Sequence, residues 1–124
     1  EGAGPGRIDD PAAGAEPPIY SAAKAALVRL TQNAAGELAP HGIQVNSISP
    51  GLILTEQMRS AGLGEDHVSQ FQPLAKAGLP EHVGAAAVFL AGDSAQFIAG
   101  ADLVVDGAAL AAGIAIYSKL GFGN

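Results

Sequence analysis

The sequence predicts an α/β chain that forms the end of a doubly wound parallel sheet. Two helix-then-strand units lead to this. A long Ala/Leu-rich helical pattern over 20–39 is followed by IQVNSIS at 43–49, whose alternation reads as a strand. A second helical pattern over 80–92 is followed by DLVV at 102–105, a short run that reads as a buried strand. Two strands joined through a helical crossover are expected to lie parallel. A parallel sheet needs cover on its faces and edges, so two strands alone read as part of a larger sheet.

The elements follow in order. Residues 1–19, EGAGPGRIDDPAAGAEPPI, are mostly Gly, Ala and Pro and read as a loop or arm. GAGPG within it is not read as a phosphate cradle, because Pro5 lacks a backbone donor and no strand leads into it. In the first helix Ala23, Ala26, Leu27, Leu30, Ala34 and Leu38 recur at helical spacing, and Pro40 and Gly42 stop it. Tyr20 and Lys24 stand one turn apart at its start. Pro50-Gly51 ends the first strand, and short helices are expected near 55–59 and 66–71. Pro80 suits the first position of the next helix, Glu81 suits its dipole, and Val83, Ala86, Ala87 and Leu90 form its apolar stripe. Asp106-Gly107 turns the chain after the second strand. The domain reading is an arm over 1–19, an α/β unit over 20–110 and an apolar, Gly-broken tail over 111–124.

Composition narrows the function classes. A net charge of −6 and six scattered basic residues give no general attraction for nucleic acid or anionic lipid. The absence of cysteine removes disulfides, thiolate chemistry and Cys-based zinc sites, and fits a reducing, cytoplasmic setting. No stretch approaches the roughly 18 apolar residues of a membrane span, and no secretory signal pattern is seen. His41, His67 and His82 are isolated in sequence and read as surface residues, so no metal is expected. Asp9-Asp10, Glu65-Asp66 and Asp106 lack the spacing of a catalytic or metal-binding pair.

Three ordered segments carry a family resemblance. YSAAK at 20–24, GIQVNSISPGLILT at 42–55 and GLPEHVGAAAVFLAGDSAQFIAGADLVVDG at 78–107 together resemble the C-terminal half of the short-chain dehydrogenase/reductase family, which has a Rossmann-like fold. The resemblance implies an oxidoreductase that interconverts alcohols and ketones with NAD or NADP. It implies Tyr20 and Lys24 as the catalytic pair. Moving hydride from an alcohol carbon also requires moving the hydroxyl proton, and a free phenol, with pKa near 10, is a poor base at neutral pH. A neighbouring ammonium favours the phenolate. The cofactor-facing set implied is Tyr20, Lys24, Pro50, Gly51, Ile53 and Thr55: Lys24 on the nicotinamide ribose, Ile53 through its backbone on the carboxamide, Thr55 through its hydroxyl on the carboxamide or a phosphate. From the residues alone, Tyr20-Lys24 reads rather as a surface lysine on a helix whose tyrosine packs against a neighbour, and Thr55 as a plain helix cap, a role compatible with ligand binding. Asn46 reads as a support of the sheet end. Residues 56–74 would form the substrate lid. Association of the helices over 20–39 and 80–92 into a homo-oligomer is also implied.

The sequence departs from the family pattern in several places. No Thr-Gly-x-x-x-Gly-x-Gly loop occurs, so the N-terminal nucleotide-binding half is missing from these residues. Residues 1–19 hold neither Ser nor Thr where the family places a catalytic serine; Arg7 stands near that position. The family's upstream asparagine is absent too. VDGA replaces the usual VDGG, read as a minor change. The expectation is an oxidoreductase by ancestry that is inactive, and binds NAD(P) weakly or not at all, as an isolated chain. The alternatives are a degenerate binding or oligomerisation protein, or a half-site completed by another chain.

Overall fold

The structure, a computed structural model, describes the backbone of residues 18–112 and the side chains of residues 22–112. Most of the expected 1–19 arm and of the 111–124 tail lies outside these residues. Helix α1 runs Pro18–Leu38, starting two residues earlier than the pattern suggests, because proline is tolerated in a first helical turn. A 3₁₀ turn at Ala39–His41 follows, closed by Gly42 in the left-handed region. Strand β1 is Ser47–Pro50. Two short helices, α2 (Glu56–Ser60) and α3 (Glu65–Ser69), lead to α4 at Pro80–Ala91. Strand β2 is Asp102–Val105, and α5 is Ala109–Ala112.

The two strands pair in parallel, with Ser47 opposite Asp102 and Pro50 opposite Val105. Side chains fix this register as well as the backbone. Asp102 accepts hydrogen bonds from Ser47 Oγ at 2.7 Å and from Ser49 Oγ at 2.8 and 2.9 Å, three residues on one sheet face.

β1 starts later than the expected residue 43. The partner chain bends at Gly100, where φ is +76°, so regular pairing begins only beyond it. Before that point a single backbone bond, from Gly100 N–H to the Val45 carbonyl at 2.7 Å, is supplemented by polar side chains. Gln44 Nε2 donates to the carbonyls of Ala95 and Ile98, and Asn46 Nδ2 donates to Ile98 at 3.0 Å. Asn46 Oδ1 in turn accepts from Ala101 N–H at 3.0 Å, so Asn46 does support the sheet end.

The expected apolar stripe of α1 is only partly covered. Leu27 and Leu30 are 52% and 61% exposed, and Ala23 and Ala26 are exposed with them. The buried positions are Thr31 and Ala35, and Ala35 packs toward Gly100. Thr31 satisfies its hydroxyl by donating to the Leu27 carbonyl at 2.9 Å. The physical reason is the shortage of partners: among the described residues only α4 and two four-residue strands could cover a 21-residue helix. For the same reason β2 is half-buried rather than buried, with Val104 40% exposed. On α4, Val83, Ala86 and Leu90 are half-buried but Ala87 is exposed. Elsewhere Leu54, just before α2, and Val68, within α3, are fully buried.

The change from VDGG to VDGA is not minor. Ala108 sits at φ +71°, directly after Gly107 at +60°. A left-handed alanine costs about 1–2 kcal/mol. Asp106 holds it there, its Oδ1 accepting from Ala108 N–H at 3.0 Å and its Oδ2 from Leu110 N–H at 2.7 Å. Replacing Ala108 by Gly relieves the strain and adds some unfolded-state entropy. Ala108→Gly is therefore expected to raise stability by about 0.5–1 kcal/mol. A thermal melt that is unchanged or lowered would contradict the strained turn.

Candidate active site

The strand end at Pro50 opens into a loop that is held from two sides. Gly51 N–H donates to the Val105 carbonyl at 3.0 Å, which ties the loop to the end of β2. The two chains approach so closely that a Cβ on Gly51 would lie 2.6 Å from Asp106 Cβ and 2.8 Å from its Cα. Further along, Ile53 forms an isolated parallel bridge with Gly78, and Leu54 N–H donates to the Gly78 carbonyl at 2.8 Å. Leu54 is 1% exposed and anchors the loop from below. The bridge uses the backbone of Leu54, and the N–H of Ile53 itself makes no backbone hydrogen bond among the described residues.

Thr55 closes the loop as the cap of α2. Its Oγ1 accepts from Met58 N–H at 3.3 Å. A hydroxyl that accepts this bond keeps its own proton to donate, so capping and ligand binding are compatible at this residue. The segment that follows is tied by an exposed Arg59–Glu65 pair at 3.4 Å, worth little in stability by itself.

Pro50, Gly51, Ile53 and Thr55 are thus gathered into one short loop at the carboxyl end of β1. Tyr20 and Lys24 sit on a different element, α1, whose helical backbone puts the two positions one turn apart on one face. The Lys24 side chain is exposed, and the Tyr20 side chain lies outside the described part.

The three histidines are exposed, as expected, but two have structural roles. His82 Nδ1 accepts from Leu79 N–H at 3.0 Å and so closes the start of α4. His67 packs edge-on against Phe71, with ring centroids 5.5 Å apart. Among the described residues no three His, Asp or Glu side chains converge as a metal site. Two further positions have roles that the sequence reading does not assign: it places Asp106 in a turn but gives its carboxylate no part, and it gives Gly78 none. Gly78 matters because the Ile53 bridge is too close for a side chain, and its only signal is a Gly shortly before Pro80. Asp106 lacks an acidic neighbour, yet its carboxylate organises the turn after β2.

A parallel strand pair linked by a helical crossover is the unit of a doubly wound α/β sheet, in which ligands bind in the crevice beyond the carboxyl ends of the strands, where the Pro50–Thr55 loop lies. Comparison with known proteins narrows this class. The family model described as enoyl-(acyl carrier protein) reductase matches residues 10–108. An NAD-dependent glycerol dehydrogenase of Listeria innocua serovar 6a is 44% identical over 90 residues, covering 71% of this chain and 35% of that protein. The solved structure of ElxO with NADP bound superposes with a TM-score of 0.65 at 36% identity, covering 75% of this chain and 39% of that one. A 4-hydroxyisoleucine dehydrogenase complexed with NADH superposes with a TM-score of 0.61 at 40% identity, covering 75% and 39%. The chain belongs to the short-chain dehydrogenase/reductase family and contains part of its Rossmann fold. It spans about a third of the length of the curated relatives it matches.

Proposed function

We propose that this chain carries the catalytic Tyr-Lys pair and the nicotinamide-facing loop of an NAD(P)-dependent oxidoreductase that interconverts an alcohol and a ketone. The observation that carries the reading is order. The family match over 10–108 includes Tyr20, Lys24 and the Pro50–Thr55 loop in sequence, and the loop is built with the donors such a cofactor needs. The Ile53 N–H and the Thr55 hydroxyl proton would hold the carboxamide side, and Lys24 would hold the ribose. When bound, the nicotinamide supplies the site that takes up or gives hydride. Tyr20 moves the proton. Its phenolate oxygen takes the substrate hydroxyl proton during oxidation and returns it during reduction. The Lys24 ammonium favours that phenolate and keeps the pair poised.

The reading includes association. Leu27 and Leu30 on α1, and Val88 and Phe89 on α4, present exposed apolar side chains, which supports packing of these helices against a further copy. A degenerate protein that kept the helices for association and lost catalysis is the second reading; the same exposed faces favour it.

One experiment separates the readings. The isolated chain is titrated with NADH and NADPH by fluorescence. It is then joined to a nucleotide-cradling half and assayed for reduced nicotinamide absorbance on a panel of secondary alcohols. The oxidoreductase reading expects at most weak binding by the isolated chain and turnover by the joined protein. Nucleotide binding by the joined protein, without turnover on any alcohol or ketone, would leave the degenerate reading standing.

A further inference from the structure

Asp106, just past the carboxyl end of β2, has no part in the proton or hydride chemistry. It is half-buried and gathers three successive N–H groups. Its Oδ1 accepts from Ala108 at 3.0 Å, its backbone carbonyl from Ala109 at 3.1 Å and its Oδ2 from Leu110 at 2.7 Å. These bonds wind the chain back and keep Ala108 at φ +71°, against the preference of an L-residue. A sparsely populated backbone conformation persists only where its surroundings over-determine it. Here the carboxylate supplies two of the three bonds.

The turn held in this way is wedged between two segments of the candidate site. On one side stands Gly51. Its N–H donates to the Val105 carbonyl at 3.0 Å, and a methyl on it would meet Asp106 Cβ at 2.6 Å and Cα at 2.8 Å. On the other side stands the segment after α3, where a methyl on Gly107 would lie 3.4 Å from Gln72 Oε1 and 4.0 Å from Leu74 Cβ. That segment is itself a tight turn, closed by Ala75 N–H on the Gln72 carbonyl at 2.9 Å, with Ala75 at φ +53°. Between Gly51 and the bond from Leu54 N–H to Gly78 only Leu52 and Ile53 intervene. With both ends of so short a stretch fixed, the seat of Gly51 governs where the Ile53 N–H points.

We propose that Asp106 is a positioning residue for the nicotinamide-facing loop: by fixing the 106–108 turn it seats Gly51, and through Gly51 it aims the Ile53 N–H. The role rests on the oxidoreductase reading above, and in it Asp106 touches neither cofactor nor substrate. A carboxylate that only capped α5 would act on residues 108–112 and no further.

Amide hydrogen exchange on the whole chain tests this, with Asp106→Ala, Asp106→Asn and Ala35→Gly compared against the parent. Asp106→Ala is expected to speed exchange about tenfold at Gly51 and Leu54, beyond any change in the α4 amides, and to shift the Ile53 amide resonance. Asp106→Asn keeps one accepting oxygen and should fall between parent and Asp106→Ala; if Asp106→Ala does not fold, this variant carries the comparison. Ala35→Gly loosens α1 at its buried contact with Gly100 and should leave the ratio of Gly51 to α4 exchange unchanged. In an assembly that turns over, Asp106→Ala should raise the nucleotide KM and leave the pH dependence of kcat, set by Tyr20, in place. The proposal is overturned if the Asp106 variants speed exchange only at 108–112, or if Gly51 and Leu54 change merely in step with α4, as in Ala35→Gly. If no assembly turns over, the oxidoreductase reading fails, while exchange at Gly51 still decides whether Asp106 seats the loop.

Discussion

Tyr20→Phe is expected to lower alcohol oxidation by about 10²–10⁴-fold in any assembly of this chain that shows turnover. The substitution removes one oxygen and nothing else. The helix keeps its shape, because Tyr and Phe have similar helix propensity, and the nicotinamide contacts assigned to Ile53 and Thr55 stay in place. Nucleotide affinity should therefore change little while kcat collapses. Lys24→Ala should behave differently. It removes the charge that favours the phenolate and also the ribose contact, so both kcat and nucleotide affinity fall. Steady-state kinetics with a parallel nucleotide titration distinguish the two patterns. Equal losses of affinity in both variants would show that Tyr20 is a packing residue and that YSAAK is only a helix turn.

Gly51→Ala is expected to destabilise the protein by about 1–3 kcal/mol. The added methyl would meet Asp106 Cβ at 2.6 Å and Asp106 Cα at 2.8 Å, and a backbone carbon cannot rotate away. Gly78→Ala meets the same problem on the other side of the loop, against the Leu52 carbonyl oxygen at 2.5 Å and Ile53 Cδ1 at 2.9 Å. Gly51→Ala must push the Pro50–Thr55 loop off the end of β2, and Gly78→Ala must push the same loop off the strand-like segment at Gly78. A control comes from Gly36 and Gly84, which lie within α1 and α4 with no atom near the added methyl. There the Ala variants should gain up to about 1 kcal/mol from helix propensity. Chemical denaturation of the four variants checks the pattern. If Gly51→Ala and Gly84→Ala unfold alike, the close approach at the loop is wrong.

These two predictions rest on parts of the molecule that are unequally legible in the sequence. α4 and β2 are readable nearly to the residue, since Pro80 marks a helix start and Asp106-Gly107 marks a strand end by backbone chemistry alone. β1 is misread at its beginning. Gln44 and Asn46 are polar at alternate positions, which looks like a solvent face, but their amides are spent on the Ala95 and Ile98 carbonyls. Periodicity counts polarity and cannot tell a solvated side chain from one that replaces a ladder bond. The α1 stripe fails for a related reason: the apolar spacing at Ala23, Leu27 and Leu30 shows what a helix can bury, and burial needs a surface that two short strands do not supply. In the loop, Pro50, Gly51 and Thr55 are found by resemblance. The need for glycine at 51 and 78 depends on segments distant in sequence, so no local pattern could show it.

The pairing of Ser47 with Asp102 has a kinetic side. The two residues are 55 positions apart, and a parallel pair has no hairpin turn to bring its strands together. Every ladder bond of this sheet therefore requires the closure of a long loop before any of it is rewarded. α1 and α4 need only their own neighbours and can form early. The sheet is expected to form after the helices, and two serine hydroxyls and one carboxylate can recognise the correct alignment only once the strands have met. A misaligned encounter has no such triad to hold it, so it is free to come apart and search again.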